Sequence, residues 1–65
     1  MLDVRALKAE MVRNGYTQAQ LAKEIGVSSK TFSNRLKTGD FGVTEIEIMM
    51  RVLHLKDPFP IFFGQ

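Results

Sequence analysis

The sequence predicts a compact all-α domain of four to five helices, on three observations. Residues 1–56 contain no run of alternating apolar and polar positions of the kind a half-buried strand needs. Four segments instead repeat their apolar residues at three- and four-residue spacing, which lines one face of a helix. Each segment also opens on a residue type that starts helices and closes on one that stops them. With no linker, repeat or shift of composition along its 65 residues, the chain reads as one domain, 1–65.

The first helix follows Asp3, a good N-cap, and runs to about Arg13 with Val4, Leu7 and Met11 on one face and Asn14-Gly15 as its stop. The second opens on Thr17-Gln18-Ala19-Gln20, a capping box in which the Thr17 hydroxyl serves the Gln20 N–H and the Gln20 amide reaches back. Leu21, Ala22 and Ile25 form its stripe and Gly26 ends it. A third starts at the N-cap Ser28, carries Phe32 and Leu36 one turn apart, and stops at Thr38-Gly39. After a turn-rich loop with Gly39, Asp40 and Gly42, Thr44-Glu45-Ile46-Glu47 offers a second capping box for a helix reaching about His54 or Leu55. Pro60 biases Phe59 towards extended geometry, so the tail (58–63) is either a short helical turn or an extended segment. Helices this short are marginal alone in water, so they must be held by packing their stripes together.

Size and composition exclude several functions. A domain of this length buries only about 60% of its unfolded surface, leaving few apolar residues to line a deep substrate cavity, which argues against an enzyme. With no Cys there is neither a disulfide framework nor a thiolate metal site, and the single His54 reads as a partner for a helix C-terminus; no metal and no cofactor are expected. No signal segment or long apolar run is visible, so the expected address is the cytoplasm, with no membrane association and no small-molecule ligand. The net charge of +2 matters less than its distribution. From Ser28 to Lys37 the charged residues are Lys30, Arg35 and Lys37 with no acid; from Asp40 to Asp57 acids prevail.

The pair of helices around Gly26 carries the functional expectation. A helix ending at Ile25 and another starting near Ser28 leave about three residues for the turn, the length of a helix-turn-helix. Gly26 suits a left-handed cap, Ala22 lets the helices approach closely, and Val27 is expected to bury in the angle between them. With Phe32 and Leu36 inward, Lys30, Ser33, Asn34 and Lys37 share the outer face, and every one of them can donate a hydrogen bond. Such a face suits the electronegative major groove of double-stranded DNA. Lys30 can donate to guanine O6 and N7, Asn34 can pair bidentately with adenine, and Ser33 is adaptable; Ser29 points forward with the helix N-terminus. Thr17, Gln18, Ser28, Thr31 and Lys37 are the candidates for phosphate contacts, assisted by the positive ends of both helices.

The run from Thr17 to Asn34, with Gln18, Leu21, Ala22, Ile25, Gly26, Val27 and Phe32 in register, resembles the Cro/CI-type helix-turn-helix of phage repressors and their bacterial relatives. The resemblance implies a lambda-repressor-like domain with its helix-turn-helix core at about 17–37 and a recognition helix at about 29–37. It also implies a phosphate contact from Gln18 and base reading by Ser29, Lys30, Ser33 and Asn34. Arg35 departs from the pattern: many relatives are apolar there, and Leu36 takes the packing role one place later.

On the fourth helix Ile46, Met49, Met50 and Leu53 form one apolar stripe and Ile48, Val52 and Leu55 a second. Glu45, Glu47, Arg51 and His54 are left for water, with Glu47 and Arg51 expected to pair across one turn. An arc this wide needs a second cover. Either the tail folds back to complete the core, or Ile48, Val52, Leu55, Phe59, Ile61, Phe62 and Phe63 meet a second subunit. Two half-sites multiply specificity, which favours a homodimer. The expectation is therefore a transcriptional repressor that occupies an operator. The alternative is a protein-interaction module on the same scaffold, such as an antitoxin-like partner binder.

Overall fold

The computed structural model describes residues 2–63, which form five helices and no strand. They are α1 (Val4–Arg13), α2 (Gln18–Ile25), α3 (Ser29–Thr38), α4 (Val43–Val52) and the single turn α5 (Phe59–Phe62). Of the two readings of the tail, the helical turn is the one adopted. No helix among the described residues is long and apolar enough to cross a membrane.

Local chemistry starts the first three helices as their sequences imply. Asp3 accepts from the Ala6 N–H at 3.0 Å. Thr17 and Gln20 close a full capping box at 3.1 and 2.8 Å, and Ser28 accepts from the Thr31 N–H at 3.1 Å. The fourth start differs from expectation: the N-cap is Gly42 and not Thr44, and Glu45, not Glu47, reaches back to the cap N–H at 3.0 Å. Gly42 has no side chain to answer, so only half of a box forms. The helix also stops at Val52, short of His54. Beyond it the Leu55 N–H bonds the Met50 carbonyl at 2.9 Å, while His54 takes a left-handed φ of 56°. That is the six-to-one closure of a Schellman cap with a histidine where glycine usually stands.

A dry core joins these elements. Leu7, Leu21, Phe32, Met49 and Leu53 are wholly buried, each worth roughly 1.5–3 kcal/mol of burial, and Met11, Ala22, Ile25, Leu36 and Ile46 surround them. No polar or charged residue is buried among the described residues. Val4 and Val27 reach only half-burial, Val27 packed against the core without the full burial expected of it. Helix α2 packs on both α3 and α4, and α5 packs on α1, where the Asp3 N–H donates to the Ile61 carbonyl at 2.6 Å. Asn14 ties the far end of α1 to α4 by donating to the Glu10 and Leu53 carbonyls at 2.8 and 3.1 Å. Phe41, which the helical patterns passed over, bridges Phe32 and Phe62 with ring centroids 5.6 and 6.4 Å apart.

The tail divides between inside and outside. Ile61 and Phe62 complete the chain's own core, which corrects their assignment to a subunit interface: a side chain filling its own core has no surface for a partner. Phe59 and Phe63 remain 65% and 50% exposed and stack on each other at 5.4 Å. Ile48, Val52 and Leu55 are half-buried against the core. Glu47 and Arg51 make no ion pair; the two ion pairs among the described residues are Arg13 with Glu10 and Arg35 with Glu45. Glu45 is accordingly not one of the residues left to water.

Candidate nucleic-acid interface

The chain between α2 and α3 turns at Gly26, whose φ of 83° is left-handed. The Val27 N–H closes on the Ala22 carbonyl at 3.0 Å and the Gly26 N–H on Lys23 at 3.2 Å, so both bonds of a Schellman cap end α2. Ser28 then restarts the chain as α3, two residues after that glycine. The turn and the anchoring of Phe32 and Leu36 in the core fix which way α3 faces.

Its outer face bears Ser29, Lys30, Asn34 and Lys37, all exposed, with Ser33 half-buried at its edge. None of Lys30, Asn34 and Lys37 makes a side-chain hydrogen bond or ion pair within the described chain. Lys30 in the first turn opposes the dipole of its own helix, and no acid of the described chain compensates it. These donors are thus left uncommitted within the described chain.

Helix α3 stands as a ridge between two concavities. On the side of α1 and α2, a hollow of about 330 Å³ brings together Lys8, Gln18, Ser33 and Lys37. Gln18 and Lys37, distant in sequence, thus share one basic hollow without an acid, and the nearby N-terminus of α2 adds its dipole. Lys8 belongs with them. Sequence reading missed it because it is one of several exposed charged residues of α1, and nothing local marks it off from an ordinary solvated lysine. On the side of α4, a wider groove of about 660 Å³ is lined by Thr31, Asn34 and Thr38 from α3 and by Asp40, Thr44 and Glu45 opposite. Among the expected residues, Ser29 and Lys30 stand on the crest, Asn34 stands where the crest meets the groove, Gln18, Ser33 and Lys37 line the basic hollow, and Thr31 lines the groove.

The hydroxyls differ in what they can still offer. Thr17 accepts from the Gln20 N–H and keeps its proton for an outside acceptor. Ser28 accepts the Thr31 N–H and its own hydroxyl is placed to donate to Thr31 Oγ1 at 3.0 Å, so the free proton of that pair is on Thr31. Ser28 acts as a helix cap, and of the two hydroxyls Thr31 keeps the free donor.

Arg35 turns from the crest towards α4 and pairs through Nη1 with Glu45 Oε1. Burial disfavours ionisation of Glu45, but the Gly42 N–H and the Arg35 guanidinium outweigh it and hold the carboxyl below its ordinary value. No cluster of His, Asp and Glu able to hold a metal occurs among the described residues. Neither protein-family models, nor curated proteins, nor solved structures provide a match to the chain.

Proposed function

We propose that the protein is a sequence-specific double-stranded DNA-binding regulator, a Cro-like repressor that occupies an operator with α3 in the major groove. The observation that carries this reading is the exposed, acid-free row Ser29, Lys30, Asn34 and Lys37, turned outward by Phe32 and Leu36 and flanked by the Lys8–Gln18–Lys37 hollow. A helix in the major groove has a sugar-phosphate strand on either side, and a ridge with a concavity on each flank has room for both. Lys30 and Asn34 are the base readers, with Ser29 and Ser33 beside them. Gln18, Lys37, Lys8, Thr17 and Thr31 hold the backbone.

A homodimer across α4 and α5 belongs to the same proposal. The stacked Phe59 and Phe63, with the half-buried Ile48, Val52 and Leu55, supply its apolar surface. The same exposed aromatic pair favours the second reading, a module that binds another protein. Selection of bound sites from random duplexes, with affinities measured at two salt concentrations, separates the two. DNA binding predicts an enriched site and log affinity that falls by about 0.9 per neutralised phosphate for each unit of log salt. A protein-interaction module predicts no enriched site and no such slope.

A further inference from the structure

Of the three cations of α3, Lys30 and Lys37 stand free, whereas the Arg35 side chain is 32% exposed and already has an anionic partner. A guanidinium on the flank of a groove-binding helix is suited to phosphate, which it can grip through two N–H groups. Glu45 stands in that place. Its Oε1 meets Arg35 and accepts the Gly42 N–H at 3.0 Å, so an anionic oxygen sits fixed at the start of α4 as a phosphate oxygen would. Asp40 lines the same groove and makes no ion pair among the described residues. The α4 flank therefore sets two carboxylates against one guanidinium, while the opposite hollow has Lys8 and Lys37 and no acid.

We propose that Glu45 is a specificity-determining positioning residue that withholds Arg35 from the DNA backbone. The inference rests on the DNA-binding reading and goes beyond it. Sequence-independent affinity grows with the number of phosphates neutralised, whereas base reading on the crest of α3 does not depend on Arg35. On random duplex no base contact fixes the register and every free cation can be recruited, whereas on the preferred site the base contacts of the crest fix α3; holding Arg35 back therefore lowers the first affinity more than the second and raises the ratio between them. A pair that merely fastened α3 to α4 would alter stability but not the number of phosphates engaged.

The test uses the full chain, a random-sequence duplex and the best duplex from the selection, with affinities followed between about 50 and 200 mM salt. Glu45→Gln removes the charge and keeps an oxygen for the Gly42 N–H. It is expected to bind random duplex several-fold more tightly, to steepen the slope of log affinity against log salt by about 0.9, and to narrow the preference for the selected site. Arg35→Gln should keep the wild-type slope, and Arg35→Gln combined with Glu45→Gln should return to it. An unchanged slope in Glu45→Gln, or a flattened one in Arg35→Gln, overturns the proposal; the latter would mean that Arg35 already engages a phosphate. Circular dichroism confirms that each variant is folded, and should Glu45→Gln not fold, Glu45→Ala takes its place with the same expected steepening of the slope. Wild-type protein with no salt-dependent duplex binding would defeat the DNA reading and this restraint together. A normal wild-type slope with no difference between variants defeats the restraint alone.

Discussion

Asn34 and Gln18 lie on adjoining surfaces but are suited to different work. The Asn34 amide, exposed on the crest, matches the donor and acceptor pattern of adenine, so Asn34→Ala should lose about 1–3 kcal/mol of discrimination at one base pair. Gln18→Ala, in the basic hollow, should weaken binding to all sequences about equally. Affinities over single-base variants of the selected site check both, and an unchanged profile for Asn34→Ala removes it from the base-reading set. Glu45 carries a prediction in acid. Its carboxyl is held below the ordinary value in the folded state, so its contribution to stability is complete above the unfolded value of about 4.3 and fades as pH falls through the lowered folded one. Thermal unfolding of Glu45→Gln between about pH 3 and pH 6 should accordingly show a shallower loss of stability on acidification than the wild type.

Helices α1 to α4 begin through side chains and end through left-handed residues, and the ends are not equivalent. A Cβ added at Gly26 would meet nothing within 4 Å, so Gly26→Ala should cost only its backbone strain, about 1–2 kcal/mol. At Gly39, φ 71°, the same Cβ would lie 3.2 Å from Leu2 Cβ, an atom fixed next to the backbone and unable to swing aside. Gly39→Ala should therefore destabilise more than Gly26→Ala. His54 is the opposite case, a side chain already in the left-handed region, and His54→Gly should stabilise by roughly 0.5–1 kcal/mol after the entropy of glycine is subtracted. Chemical denaturation of the three variants gives the order, and a destabilised His54→Gly would mean that the imidazole makes a contribution larger than its strain.

For the molecule as a whole, the tail is the dividing line between stability and assembly. A domain of this size has roughly 3–10 kcal/mol of stability, and truncating a buried Phe costs about 3–5 kcal/mol, so Phe62→Ala should remove a large share of it and lower the melting temperature by more than about 10 °C. Phe59→Ser together with Phe63→Ser removes side chains that are 65% and 50% exposed, at a smaller loss of buried surface than Phe62→Ala. On the proposed dimer, the wild type should sediment as a dimer and that variant as a monomer. A wild-type protein that is monomeric at high concentration would assign the pair of rings to another partner.

What the sequence determined by itself was set by near neighbours: where α1 to α3 start and stop, the turn at Gly26, and the division of α3 into an inward Phe32 and Leu36 and an outward Lys30, Asn34 and Lys37. Caps act over three residues and helical periodicity over four, so a linear reading reaches them. The start of α4 slipped because Thr44 looked a better cap than Gly42, and only the direction of the Glu45 side chain decides between them. Tertiary structure alone decided the rest. Asn14 meets Leu53 across 39 positions, Phe41 stacks between Phe32 and Phe62, Lys8 joins Gln18 and Lys37, and Arg35 finds Glu45. Each of these depends on how whole helices lie against one another, which is set by the shape of the shared core and is written in no single stretch of the chain.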